Sequence, residues 1–190
     1  MATTSHYPYD NDSASLRHKT VTIQLPCKDL LWDLDAHTHL MGEALRASAS
    51  ARAADIFASD SAEAFGKRFL CRQIESNGAH LSDILSDKIG KCEFKTTSPD
   101  VSADSQLELM ATGVTSLEFE LTISQEFKDD MAKPAAKLMH EYIVKSSLKD
   151  WYEALGSNNG EIYNTQIAEL VTRIVKAFTA RSIPALTPED

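Results

Sequence analysis

The stretch LEFELTI, Leu117 to Ile123, constrains the fold more than any other part of this chain. Leu117, Phe119, Leu121 and Ile123 alternate with Glu118, Glu120 and Thr122. Successive side chains on a strand point to opposite faces, so this strand has one apolar face and one wet face. Such a strand belongs to an antiparallel sheet that is covered on one side only, and the covering layer has to come from the rest of the chain. The stretch TVTIQL, 20–25, repeats the pattern, with Val21, Ile23 and Leu25 on one face and Thr20, Thr22 and Gln24 on the other. Two shorter β-like pieces, KCEFK and LELM, fall within the irregular segment from Lys91 to Ser116, which carries Pro99 and Gly113 and reads as a long hairpin or loop.

The remaining apolar residues recur at helical spacing. After Pro26 ends the first strand, Leu31, Leu34, Thr38, Met41 and Leu45 follow at three- and four-residue intervals. The Ala/Ser-rich stretch RASASARAADIFAS, Arg46 to Ser59, is a frayed continuation of that helix or a linker. A second helix is expected from SDSAE onward, its Ser and Asp residues accepting first-turn amides and Glu63 suiting the positive end of the dipole. Its apolar stripe is Phe65, Phe69, Ile74, Leu81, Ile84, Leu85 and Ile89, and Gly90 is its terminator. A third helix follows Asp129 and Asp130, with Pro134 near its first turn, Leu138, Met139, Tyr142, Ile143, Trp151, Tyr152 and Leu155 as apolar contacts, and Gly156 as its stop. After the turn GSNNG a fourth helix carries Tyr163, Ile167, Leu170, Val171, Ile174, Val175 and Phe178, and the short connection makes the last two an antiparallel pair.

The expected fold is therefore mainly α with a small antiparallel β part (α+β), a helical-bundle core with a long β-hairpin or loop excursion near 91–123. Residues 1–19, polar and without apolar periodicity, read as a flexible N-terminal arm, 20–180 as a single α+β domain, and 181–190 as a flexible tail. Phe119, Leu121, Tyr142, Trp151, Ile167 and Ile174 are the expected core.

Composition narrows the function classes. The formal net charge of −9, from 28 acidic and 19 basic residues, disfavours a broad basic surface for nucleic acid. The three cysteines, Cys27, Cys71 and Cys92, are widely spaced and never form C-x-x-C, which suggests neither a structural zinc site nor a disulfide framework and fits a reduced compartment. No apolar run approaches the ~20 residues of a membrane span, and the polar N-terminus lacks a signal-peptide apolar segment. A soluble cytoplasmic protein is expected.

The octet DLDAHTHL, Asp33 to Leu40, resembles the opening signature of barrel-type metal-dependent hydrolases, in which a His-x-His pair at a strand end holds a metal. That resemblance implies a small metal-dependent hydrolase using His37 and His39. Two observations weigh against it. A complete barrel typically needs about 250 residues where this chain has 190. The octet also sits on an expected helix, where residues at i and i+2 differ by about 200° of rotation and face apart. His80 and His140 would have to converge with one of them and with Asp35 or Asp83, and no spacing points to that. There is no Gly-rich phosphate loop, G-x-S-x-G elbow or H-E-x-x-H. Cys71, on the apolar side of the second helix, reads as a small core residue, Trp151 and Tyr152 as core rings, and Glu118 and Glu120 as a solvated face or the lining of a shared surface in an assembly. No catalytic, cofactor-binding or metal residue is assigned, no cofactor is expected, and the chain reads as non-enzymatic.

The segments LEFELTISQEF, YIVKSSLKDWYEAL and NNGEIYNTQIAELVTRIVKAFTARSIP, spanning 117–184, resemble a group of uncharacterised proteins encoded in phages and prophage-like clusters of gut anaerobes. The order of elements is similar to that of the head–tail connector, or adaptor, proteins of tailed phages. This resemblance implies a virion structural protein at the neck, assembled in the bacterial host cytoplasm. About a dozen copies would form a homo-oligomeric ring that contacts portal and tail or neck proteins, with DNA sliding through unread. The N-terminal strand and the stretch 46–59 depart from the connector pattern, so a tail-completion or tail-terminator protein stays open, as does a helical regulatory module of a mobile element.

Overall fold

The computed structural model describes residues 18–48, 64–97, 114–155 and 158–181. Strand β1, His18–Pro26, runs directly into helix α1, Cys27–Ser48. Helix α2, Ala64–Lys88, is followed by strands β2, Cys92–Thr97, and β3, Ser116–Ser124, and then by helices α3, Ala132–Ala154, and α4, Ile162–Thr179. Among the described residues this is mainly helix with one small antiparallel sheet, the fold class the sequence implies. Residues 107–110 (LELM), the stretch 49–63 with the capping residues expected for α2, and the loop part of the excursion, 98–113, lie outside the described residues.

The strand order is β1-β3-β2. β3 sits in the middle because it has the cleanest alternation: Leu117, Phe119 and Leu121 are fully buried, Ile123 nearly so, and the residues between them stay half-exposed. Both neighbours are antiparallel to it, Ile23 opposite Phe119 and Leu25 opposite Leu117 on one side, Phe94 opposite Phe119 on the other. The Phe94 and Phe119 rings touch at a centroid distance of 5.3 Å. β1 begins at His18, ahead of the alternation at Thr20, so the arm expected over 1–19 is shorter by His18 and Lys19. Lys19 is fixed there by contacts across the fold: its Nζ donates to the Phe127 carbonyl at 2.7 Å and pairs with Asp129 at 2.6 Å.

Helix α1 starts at the residue after Pro26, where proline's missing amide costs the sheet least because the strand ends. Its buried positions up to Leu40 are Cys27, Leu30, Leu34 and Thr38; Leu31, expected on the apolar stripe, is half-buried, and the side chains of Met41 and Leu45 lie outside the described ones. The hydroxyl of buried Thr38 donates to the Leu34 and Asp35 carbonyls at 3.0 and 3.1 Å, so a polar atom enters the core without losing its hydrogen bond. Helix α2 lies close on the sheet because residue 78 is glycine: a Cβ there would meet the Phe94 ring at 2.9 Å and Leu117 at 3.0 Å. It ends as the sequence implies at Gly90, whose φ of 147° lies in the region that L side chains rarely adopt.

Helix α3 is the centre of the body. It packs against α1, α2, α4 and β1, and Ala135, Met139, Tyr142, Ile143, Val144, Ser146, Ser147, Leu148, Trp151 and Tyr152 are all buried. Pro134 occupies its third position, where the amide has no carbonyl partner within the helix. α3 and α4 form the expected antiparallel pair. At one end Tyr152 stacks on Tyr163, and at the other Phe127, just ahead of α3, stacks on Phe178 near the end of α4, with an isolated bridge from Phe127 to Arg181. That bridge places Arg181 with the body rather than in the tail expected from 181. Of the expected core residues, Phe119, Leu121, Tyr142, Trp151 and Ile174 are buried, while Ile167 is only partly covered.

Removing a buried side chain at the centre of α3 forfeits its transfer energy and leaves a cavity. Met139→Ala is expected to lower the unfolding free energy by about 2–5 kcal/mol. Trp32→Ala, at a side chain 75% exposed, is expected to change it by no more than about 0.5 kcal/mol. Urea unfolding followed by circular dichroism checks both.

Candidate functional site

The octet Asp33 to Leu40 lies wholly within α1. Helical rotation sends the exposed His37 and His39 apart by about 200°, and His37 Nδ1 lies 2.8 Å from the Asp33 carbonyl of its own helix. His80 is exposed on α2, as is Asp83. Among the described residues no three His, Cys, Asp or Glu side chains are grouped so as to hold a metal ion. The octet instead contributes a contact that its spacing gives no hint of: Asp33 Oδ2 receives His140 Nε2 at 2.7 Å, linking α1 to the central helix. Asp33 and His140 are far apart in sequence, and only the packing of α1 on α3 brings them together.

A second polar contact joins α2 to α3. The amide of Asn77 donates to Ser147 Oγ at 3.3 Å and to Asp150 Oδ2 at 2.9 Å. Burial raises the Asp150 carboxyl above the usual carboxylate range; the Asn77 hydrogen bond, which favours the ionised form, opposes this only in part. Beside it Trp151 meets Phe69 edge-on at 5.6 Å, and the buried indole Nε1 has no hydrogen-bond partner among the described residues. Trp151 and Tyr152 are core rings.

The three cysteines are not joined in disulfides, and two of them, Cys27 and Cys71, are buried. Burial first, then the neighbouring Cys71 and Glu75, pushes the Cys27 thiol up to about 12, far from the thiolate that nucleophilic chemistry needs. Cys71 is buried in the core, as its place on the apolar side of α2 implies.

The wet face of the sheet carries its own charge pairs. Gln24 donates to Glu118 at 2.8 Å, Lys95 reaches Glu120 at 2.7 Å, and Lys91 and Lys95 flank Glu93. Lys91, and then Lys95, hold the Glu93 carboxyl below its usual range. Glu118 and Glu120 are thus met by side chains of the flanking strands, an arrangement that register alone creates. Among the described residues the large apolar side chains left exposed are Trp32 and Leu40 on α1 and Ile162 at the start of α4. Among the described residues no helix is long and apolar enough to cross a membrane.

No family model, curated protein or solved structure matches the chain.

Two outcomes follow from these contacts. The raised Asp150 carboxyl binds its proton more tightly in the folded state, so its ionisation costs stability as pH rises above the ordinary carboxylate range. Asp150→Asn keeps an oxygen acceptor for Asn77 and is expected to stabilise the fold at neutral pH. The gain should fade toward about pH 4, and urea midpoints at the two pH values check it. Titration with zinc, followed by native mass spectrometry, is expected to give the same metal content for wild type and for His37→Ala/His39→Ala; a stoichiometric ion lost in the double variant would contradict the helical geometry of the octet.

Proposed function

We propose that the protein is a non-enzymatic structural component of a phage or prophage particle, a head–tail connector that forms a ring at the neck and joins portal to tail. The observation that carries this reading is the order of elements from Ser116 to Thr179: strand, helix ending in Trp151-Tyr152, Asn-containing turn, helix. It is the order on which the likeness to phage proteins and neck adaptors rests. The central helix and its partners supply a rigid body, and the small sheet supplies backbone edges of the kind onto which an extended segment of a neighbour can add.

In this role the chemistry is association rather than turnover. The partners are further copies of the chain, about a dozen in a closed ring with head-to-tail contacts between neighbours, together with portal and tail or neck proteins. The excess of acidic residues, 28 against 19 basic, lets DNA pass without being held by its phosphates. The protein would be assembled into the virion in the cytoplasm of the bacterial host.

The reading is tested on particles. In a host that carries the gene on an inducible prophage, antibody against the purified protein is expected to mark a single position between head and tail of the released particles. Deletion of the gene is expected to leave filled heads and free tails that do not join. Purified particles that lack the protein by mass spectrometry, or a deletion that leaves infectious particles, would contradict it.

A further inference from the structure

We propose that the free edge of β1 pairs with β1 of a second copy, antiparallel and centred on Thr22, so that two three-stranded sheets become one of six strands. The parity of the strand fixes which backbone groups are on offer. β1 continues into a hydrogen bond from the Cys27 amide to the Thr115 carbonyl at 2.9 Å. In an antiparallel ladder, residues that bond to one neighbour alternate with residues whose amide and carbonyl both point the other way. Odd-numbered residues of β1 therefore face β3, and His18, Thr20, Thr22 and Gln24 present their backbone outward. Among the described residues no side chain or loop bonds these outward groups.

The other edge of the sheet is managed differently. The Thr122 amide donates to the Lys91 carbonyl, so by the same parity Cys92, Phe94 and Thr96 of β2 look outward. At Cys92 those groups are already taken: its amide donates to Ser86 Oγ, and its carbonyl accepts from Ser82 and Ser86. Lys91, Glu93 and Lys95 put charge along that strand. β1 from Thr20 to Leu25 has no charged residue, no bulge and, among the described residues, no covering hydroxyl, and such devices are how natural edges avoid pairing. Its proline, Pro26, is at the end and simply limits the length of the pair.

A second copy suits this edge because the strand is complementary to itself. With Thr22 on the two-fold axis, Thr20 lies opposite Gln24 and Thr22 opposite Thr22 on the wet face, while Val21 lies opposite Ile23 on the core face. Lys19 falls opposite Leu25, so no like charges meet, and its ammonium is already engaged by Asp129 and the Phe127 carbonyl. Val21 is only partly buried within one copy, and the pair would complete its cover. The contact closes on itself, so it is a state of the free chain that goes beyond the neck assignment and does not rest on it.

The test is the mass of the full-length protein by sedimentation equilibrium and by light scattering after gel filtration. Wild type is expected at twice the chain mass of 20.9 kDa. Thr22→Pro removes an outward amide that the ladder within one copy does not use, and is expected to give a monomer with an unchanged circular dichroism spectrum. Should that variant fail to fold, Thr22→Lys serves instead: it sets two ammonium groups across the axis from an exposed position, and is expected to give a monomer at low salt that regains the pair at high salt. A wild-type monomer, an assembly larger than a pair, or a pair that survives both substitutions would overturn the proposal.

Discussion

The burial of most of the α3 surface is the constraint on which the rest of the structure depends. A helix at the surface divides itself into a broad wet stripe and a dry one; α3 keeps only a narrow wet stripe, Lys133, Lys137, Glu141, Lys145, Lys149 and Glu153, because α1, α2, α4 and β1 pack on the rest. Its sequence reflects that. Met139, Ile143, Leu148 and Tyr152 are all within 0% exposure, and small Ser146 and Ser147 occupy buried positions where a larger residue would hold a neighbouring helix away. Each neighbour is then fixed to α3 by a different chemistry: α1 through the Asp33–His140 contact, α2 through Asn77 with Ser147 and Asp150, and α4 through the stacked pair Tyr152–Tyr163. Apolar burial supplies the driving force and is non-directional. The polar pairs are directional, and they specify which face of each helix meets α3.

The sheet is the second layer of this arrangement and carries the exposed backbone that could serve assembly. β3 is held centrally by its four apolar residues, so β1 and β2 are both edges. Their treatment differs. β2 is clasped by the serines of α2 and lined with charge, whereas among the described residues no hydroxyl clasps the outer backbone of β1. Among the described residues, the sheet thus has one clasped edge and one unclasped edge, joined to a helical body.

Much of this was legible in the sequence where a periodicity is strong and local. The alternation in 117–123 identified the central strand, Pro26 marked the change from strand to helix, and Gly90 marked the end of α2. The failures have physical causes. The buried stripe of α1 runs through Cys27 and Leu30 rather than Leu31, because the helix begins immediately after Pro26 and its first turn already packs on the core. Ile167 shares a helical face with buried residues yet stays partly open, since the neighbours that would cover it are not set by α4 itself. Lys19 joined the sheet through partners more than a hundred residues away, Phe127 and Asp129, and no local pattern encodes such a contact. The candidate site was the least legible part. His37 and His39 attracted attention because of a motif, while the octet's actual interhelical contact, from Asp33 to His140, depends on tertiary packing alone. The open edge of β1 became visible only once strand order and ladder parity were known.

Native-state hydrogen exchange measures the central claim, that α3 is the element around which the body is built, more directly than any other experiment. Amides of α3 from Met139 to Trp151 should exchange slowest, with protection equal to the free energy of global unfolding, and α1, α4 and the edge strands should open at lower free energies. If α3 exchanged before α4 or before the sheet, the protein would owe its stability to a different centre, and the account of α3 as the helix around which the others pack would be wrong.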